Sequence, residues 1–104
     1  MRPIVIHYPR GGGGFPLHTH PFLPQKIGLI VSLSEKKEDF EHGGTRFAVP
    51  NGDIVDIGGE HTIGDIALFR IDLPHNVYPC DPQAELNFKD PAGRWSMILP
   101  YNQY

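Results

Sequence analysis

Glycine and proline interrupt this chain so often that no helix of ordinary length fits between them. Among 104 residues there are 12 glycines and 11 prolines. Inside a helix each glycine costs about 1 kcal/mol and each proline about 3 kcal/mol relative to alanine. What lies between the interruptions is short and rich in β-branched and aromatic residues, as strands are. Arg2 to Pro9 reads as a first strand and Phe15 to His20 as a second, joined by the run Gly11 to Gly14. Lys26 to Ser34, KIGLIVSLS, is the clearest strand. Ile27, Leu29, Val31 and Leu33 alternate there with Gly28, Ile30 and Ser32, so both faces are apolar or small, as in a strand inside a barrel or sandwich. Thr45 to Val49, Asp53 to Ile57, Asp65 to Leu73, His75 to Pro79 and Arg94 to Leu99 follow, with turn chemistry at Pro50-Asn51-Gly52-Asp53, Gly58-Gly59 and Asp90-Pro91. Glu35 to Glu41, EKKEDFE, reads as an exposed charged loop. The predicted fold is all-β, about eight strands with little or no helix, a double sheet or jelly roll formed by residues 1–104 as one domain.

The bulk chemistry narrows the function. The net charge is −3, the pI is near 6.0 and no basic run is present, so neither nucleic acid nor an anionic membrane surface is an expected partner. No apolar stretch is long enough to span a bilayer, and MRPIVIHYP begins like a strand and not like a secretory leader. The single cysteine, Cys80, excludes an intramolecular disulfide and fits a reducing compartment, so the expected location is cytoplasmic. The glycine run could cradle a phosphate only if a helix N-terminus followed it, and Phe15-Pro16-Leu17 offers none.

Two of the six histidines stand one residue apart in GGGGFPLHTH. On a strand, alternate side chains share a face, so His18 and His20 would project together and could chelate one metal ion. The best candidate for a third ligand is His75 in DLPHNVYP. On the last strand, alternation places Arg94, Ser96 and Ile98 on one face and Trp95, Met97 and Leu99 on the other. By itself an HxH pair is more often a pair of surface histidines. The remaining histidines carry plainer expectations: His7 structural, His42 solvated, and His61, beside Glu60, a weak alternative ligand. Asp72 is a candidate for orienting His75. Phe47, Phe69 and Trp95 are expected to pack, and Cys80 to be an inert buried thiol.

Taken in order, Tyr8-Pro9 with the glycines and His18, then LIVSLSEKKEDFEHGGTRF, then Gly64-Asp65, Phe69 and His75-Asn76-Val77, then Arg94-Trp95-Ser96, resemble the double-stranded β-helix core of the iron(II)- and 2-oxoglutarate-dependent oxygenases. The resemblance covers nearly the whole chain. It implies Fe(II) and 2-oxoglutarate as cofactors and His18, His20 and His75 as metal ligands. It implies that Arg94 binds the far carboxylate of 2-oxoglutarate through its planar fork, with the Ser96 hydroxyl and the Tyr8 phenol beside it. The implied activity is hydroxylation of a small molecule or a peptide side chain. Two departures stand out. The family has a carboxylate where this chain has His20, which removes one negative charge from the metal shell and should favour dianionic 2-oxoglutarate. Members also usually carry N-terminal helices over the larger sheet, so this chain is expected to be a minimal member, to lack an N-terminal segment, or to cover that sheet as a homodimer.

Two other readings remain open. Gly12 followed by His18-x-His20 resembles the first motif of cupins, which would give a three-histidine metal protein or dioxygenase without 2-oxoglutarate, although Gln25 stands where a glutamate ligand is expected. A non-catalytic relative is the third. The loops Pro21 to Lys26, Glu35 to His42 and Cys80 to Gly93 are expected at the barrel mouth, where substrate is chosen, and they do not reveal which substrate.

Overall fold

The computed structural model describes residues 3–21, 26–58 and 60–99. Among these described residues eight strands follow in order: β1 Ile4–Pro9, β2 Gly13–His18, β3 Ile27–Ser32, β4 Gly44–Ala48, β5 Ile54–Asp56, β6 Ile66–Arg70, β7 His75–Cys80 and β8 Gly93–Ile98. They form two four-stranded sheets, ordered β1-β8-β3-β6 and β2-β7-β4-β5. Every named pairing is antiparallel. Among the described residues there is no helix. Apart from the β4–β5 hairpin, the chain crosses from one sheet to the other at each step as a jelly roll does, and the all-β expectation holds.

Glycine makes the first crossover possible. Gly11 and Gly12 have φ of +98° and +113°, a region that side chains with a Cβ rarely enter. Their amide groups donate to the carbonyls of Cys80 and Asp81. Gly11 and Gly12 therefore serve as a structural corner, with their N–H groups already occupied. The EKKEDFE stretch departs from expectation at one residue: Phe40 turns inward and is buried, tucked under the turn at Lys37–Asp39.

Register decides which residues meet between the sheets, because directly opposed residues of an antiparallel pair share a face. In the first sheet Tyr8 lies opposite Arg94, Ser96 opposite both Ile6 and Ser32, and Gly28 opposite Phe69. In the second, Thr45 lies opposite Val77, and His75 opposite both Phe47 and His18. Ile30, Phe40, Phe47, Ile71, Val77 and Cys80 are the buried apolar residues. Buried with them are Ser32, Ser34, Thr45, His75, Arg94 and Ser96. Burying a polar group costs free energy unless a partner satisfies it, so an interior this polar points to a site.

Away from the interior, the outer face of the first sheet is apolar. Ile27, Ile66 and Leu68 are each more than half exposed, and Leu29, Val31 and Met97 lie between them. His7 stacks on Trp95 on this outer side, with ring centroids 4.1 Å apart, and its Nε2 meets the Ala92 carbonyl at 2.9 Å. That contact is the structural role expected of it.

Candidate metal centre

The metal candidates come together where β2 ends and β7 begins. His18 is the last residue of β2, and His75 opens β7 directly opposite it. Their ring centroids are 4.2 Å apart. His20 lies beyond the end of β2, so simple strand alternation does not place it. Register shifts run through β2, and the chain leaves the sheet after His18. His20 nevertheless reaches the same point, 4.9 Å from His18 and 5.3 Å from His75 by ring centroid. The three potential ligand atoms lie within 4.8 Å of one another.

Two of the rings are held in a metal-ready form. The Nδ1 of His18 lies 2.8 Å from the Pro16 carbonyl, and the Nδ1 of His75 lies 2.8 Å from the Leu73 carbonyl. A carbonyl can only accept, so each Nδ1 carries a proton, and in the neutral ring Nε2 is the nitrogen left with a lone pair. Leu73, and not Asp72, orients His75. The Asp72 carboxylate pairs with Arg70 at 2.6 Å, while its backbone carbonyl accepts from Thr19 Oγ1. His75 is buried and His20 exposed. Burial, followed by the nearness of His18, holds His20 below the ordinary imidazole pKa. For His75 burial again leads. The Leu73 carbonyl pulls the other way, the two neighbouring histidines add to burial, and the net shift is downward. A depressed pKa favours the neutral imidazole, the form that binds metal.

Deeper between the sheets sits Arg94, only 3% exposed. Its Nη2 donates to Thr45 Oγ1 at 2.9 Å, and its guanidinium carbon lies 5.3 Å from the Tyr8 ring centroid. Among the described residues no carboxylate lies within ion-pair distance of it. Burial lowers its pKa from the ordinary arginine value, yet arginine keeps its charge in proteins. Tyr8 is shifted up by burial, an effect Arg94 partly offsets. Ser96 is buried two residues along β8 on the same face. Thr45, the one side chain that receives a hydrogen bond from Arg94 among the described residues, was missed in the sequence. Its neighbours Gly44 and Arg46 gave no local signal for it.

Three remaining candidates lie elsewhere. The His61 ring is bonded to the Asp65 carbonyl at 2.9 Å and takes no part in the histidine cluster. His42 is exposed. Cys80 is fully buried, and burial, followed by the charge of Asp81, pushes its thiol up to about 11, which suits an inert residue. Gln25 falls outside the described residues, as do the middle of the expected mouth loop, residues 22–25, and Gly59.

With this geometry established, comparison with known proteins adds a fold. No protein-family model matches the chain. No curated protein matches it either. Among solved structures, a prolyl-4-hydroxylase of Pseudomonas putida superposes with a TM-score of 0.69 at 21% sequence identity, over 92% of this chain and 48% of that one. The chain thus spans about half the length of the hydroxylase, and at that identity what the two share is the fold.

Proposed function

We propose that this protein is a non-haem Fe(II)- and 2-oxoglutarate-dependent oxygenase. The observation that carries the reading is the pairing of two features on the facing inner surfaces of the two sheets. One is a cluster of three imidazoles at the mouth. The other is the buried Arg94 guanidinium on the facing sheet, which no carboxylate pairs among the described residues. An isolated buried charge is strongly unfavourable, and an anionic ligand relieves it. Thr45 and Phe47 are two residues apart on β4, and Phe47 pairs with His75. Two strand residues span about 6.8 Å, so Thr45, which holds Arg94, stands roughly that far along β4 from the rung of His75. A gap of that order suits a five-carbon diacid whose keto-acid end faces the metal and whose far carboxylate meets Arg94.

The donor set fits iron. Three imidazoles grouped on one side leave the opposite side open, as non-haem oxygenases require, and imidazole suits Fe(II). A metal about 2.1 Å from each nitrogen needs them about 3 Å apart, so the rings must draw inward, and the exposed His20 has room to move. When bound, Fe(II) with 2-oxoglutarate and dioxygen supplies oxidative decarboxylation to succinate and carbon dioxide, coupled to oxidation of a C–H bond. The chain's own contributions are distinct from that chemistry. His18 and His75 present Nε2 in fixed orientation. Arg94 and Thr45 orient the diacid, with the Ser96 and Tyr8 hydroxyls on the same inner face. The substrate would be a small molecule or peptide side chain entering past the exposed His20. The fold shared with the Pseudomonas putida prolyl-4-hydroxylase supports this reading without fixing the substrate.

Anaerobic titration with Fe(II) and then 2-oxoglutarate, followed by visible absorption, tests the proposal. The expected result is an absorbance that needs both additions and is lost in Arg94→Ala, with succinate released once oxygen is admitted. Metal binding that ignores 2-oxoglutarate would favour the cupin-type reading, which the all-imidazole set also accommodates. Absence of metal binding would leave a non-catalytic relative.

A further inference from the structure

Gly28 lies far from the histidines in sequence and carries no side chain, yet it faces the one aromatic that the first sheet sends against His75. It sits in β3 opposite Phe69 of β6 and is buried on the inner face. A Cβ built on Gly28 would fall 2.6 Å from Phe69 Cε2 and 2.9 Å from Cε1, with Cζ nearer still. The far edge of the Phe69 ring therefore rests against the glycine, in a seat that exists only because the side chain is missing. Across the interior the ring meets two residues of the second sheet. It stands edge-on to His75, with centroids 5.0 Å apart and planes at 62°, and lies 4.8 Å from Phe47. Phe47 is in turn the rung partner of His75, at 5.9 Å. His75 is thus held by the Leu73 carbonyl on one nitrogen and by an aromatic wall along its side.

We propose that Gly28 is a positioning residue for the metal centre: by fixing how deeply Phe69 seats, it fixes the direction in which His75 presents Nε2. The inference rests on the reading of His75 as a metal ligand, and not on 2-oxoglutarate. A methyl group at position 28 must displace the ring by on the order of 1 Å to reach ordinary contact. The ring is caught between its own sheet and the pair His75 and Phe47, so the displacement passes to them. Metal sites need their ligands held to within about 0.5 Å of productive geometry, and loss of a residue that orients a ligand costs about 10- to 100-fold in affinity.

The test is a double-mutant cycle read by Co(II) affinity, followed through the visible absorption of bound Co(II), with the melting temperature of each metal-free protein measured alongside. Gly28→Ala should weaken Co(II) binding at least about tenfold. In the Phe69→Leu background the same substitution should cost less than about twofold, because the clashing ring edge is gone. A purely structural effect would lower the melting temperature and leave Co(II) affinity in the folded protein unchanged, and that result overturns the proposal. An equal cost in both backgrounds overturns it too. If Gly28→Ala alone does not fold, Phe69→Leu alone decides: it empties the seat without a clash, and unaltered Co(II) affinity would sink the idea. Failure of the wild-type protein to bind Co(II) at all would remove the metal centre itself, an outcome distinct from a centre that binds and ignores Gly28.

Discussion

His20 is the least restrained of the three imidazoles. It follows the end of β2 and is exposed, and among the described residues its ring has no hydrogen bond, whereas His18 and His75 each lean on a carbonyl. A loosely held ligand gives up more entropy on binding and contributes less. Losing a ligand costs at least what losing an orienting partner does, about 10- to 100-fold. His75→Ala should therefore exceed the upper end of that range in Fe(II) affinity, measured anaerobically by calorimetry, while His20→Ala should sit near the lower end. His20→Asp supplies the missing negative charge and should bind Fe(II) more tightly than the wild type in the absence of 2-oxoglutarate. Equal losses for the two alanine variants would mean that the metal is gripped evenly and that exposure is no guide here.

At the scale of elements, a single buried carboxylate ties three loops together. Asp81 follows β7 with φ of +38°. Its side chain accepts from Arg10 Nε at 2.8 Å and from the amides of Glu41 and His42, at 3.0 and 2.7 Å to Oδ1. Burial pushes its pKa up, but the His42 amide, Arg10 and the Glu41 amide outweigh burial, and the net shift is downward. A carboxylate with a depressed folded-state pKa adds stability above the ordinary aspartate range and loses it as pH falls through the folded value. Asp81→Asn should destabilise by about 2 kcal/mol at pH 7, and its unfolding midpoint should converge on that of the wild type as the pH is lowered below the ordinary aspartate range and through the folded value. A constant gap across that range would assign the loss to shape and not to charge. This tie was illegible in the sequence, because a turn aspartate looks the same whether it faces solvent or gathers distant amides. β3 and β8 were legible, since their alternation survives in the burial of Gly28, Ile30 and Ser32 and of Arg94 and Ser96. β2 was legible as a strand but not in register. Its shifts depend on how Gly13 and Phe15 meet β7, a tertiary matter that local pattern does not encode. The site followed the same division: the residue types could be read, whereas Thr45, the Leu73 carbonyl and the seat at Gly28 emerge only once the sheets face each other.

The whole molecule leaves one broad surface dry. Ile27, Ile66 and Leu68 stand exposed on the outer side of the first sheet around Leu29, Val31 and Met97, and contiguous apolar surface on this scale marks association. In solution the 104-residue chain should self-associate through this face, and Leu68→Lys should shift it toward monomer in light scattering. A monodisperse wild-type monomer would count against that expectation. The opposite sheet has a different weakness. Its border strand β2 meets β7 at three register pairs with two shifts between them, and it contains Pro16, which has no amide to donate. The last of those pairs is His18 with His75. An ion gripping both rings would act as a clasp at the end of this irregular ladder. Loading the protein with metal and holding β2 against β7 would then be a single event, and a chain without the ion would begin to open at β2.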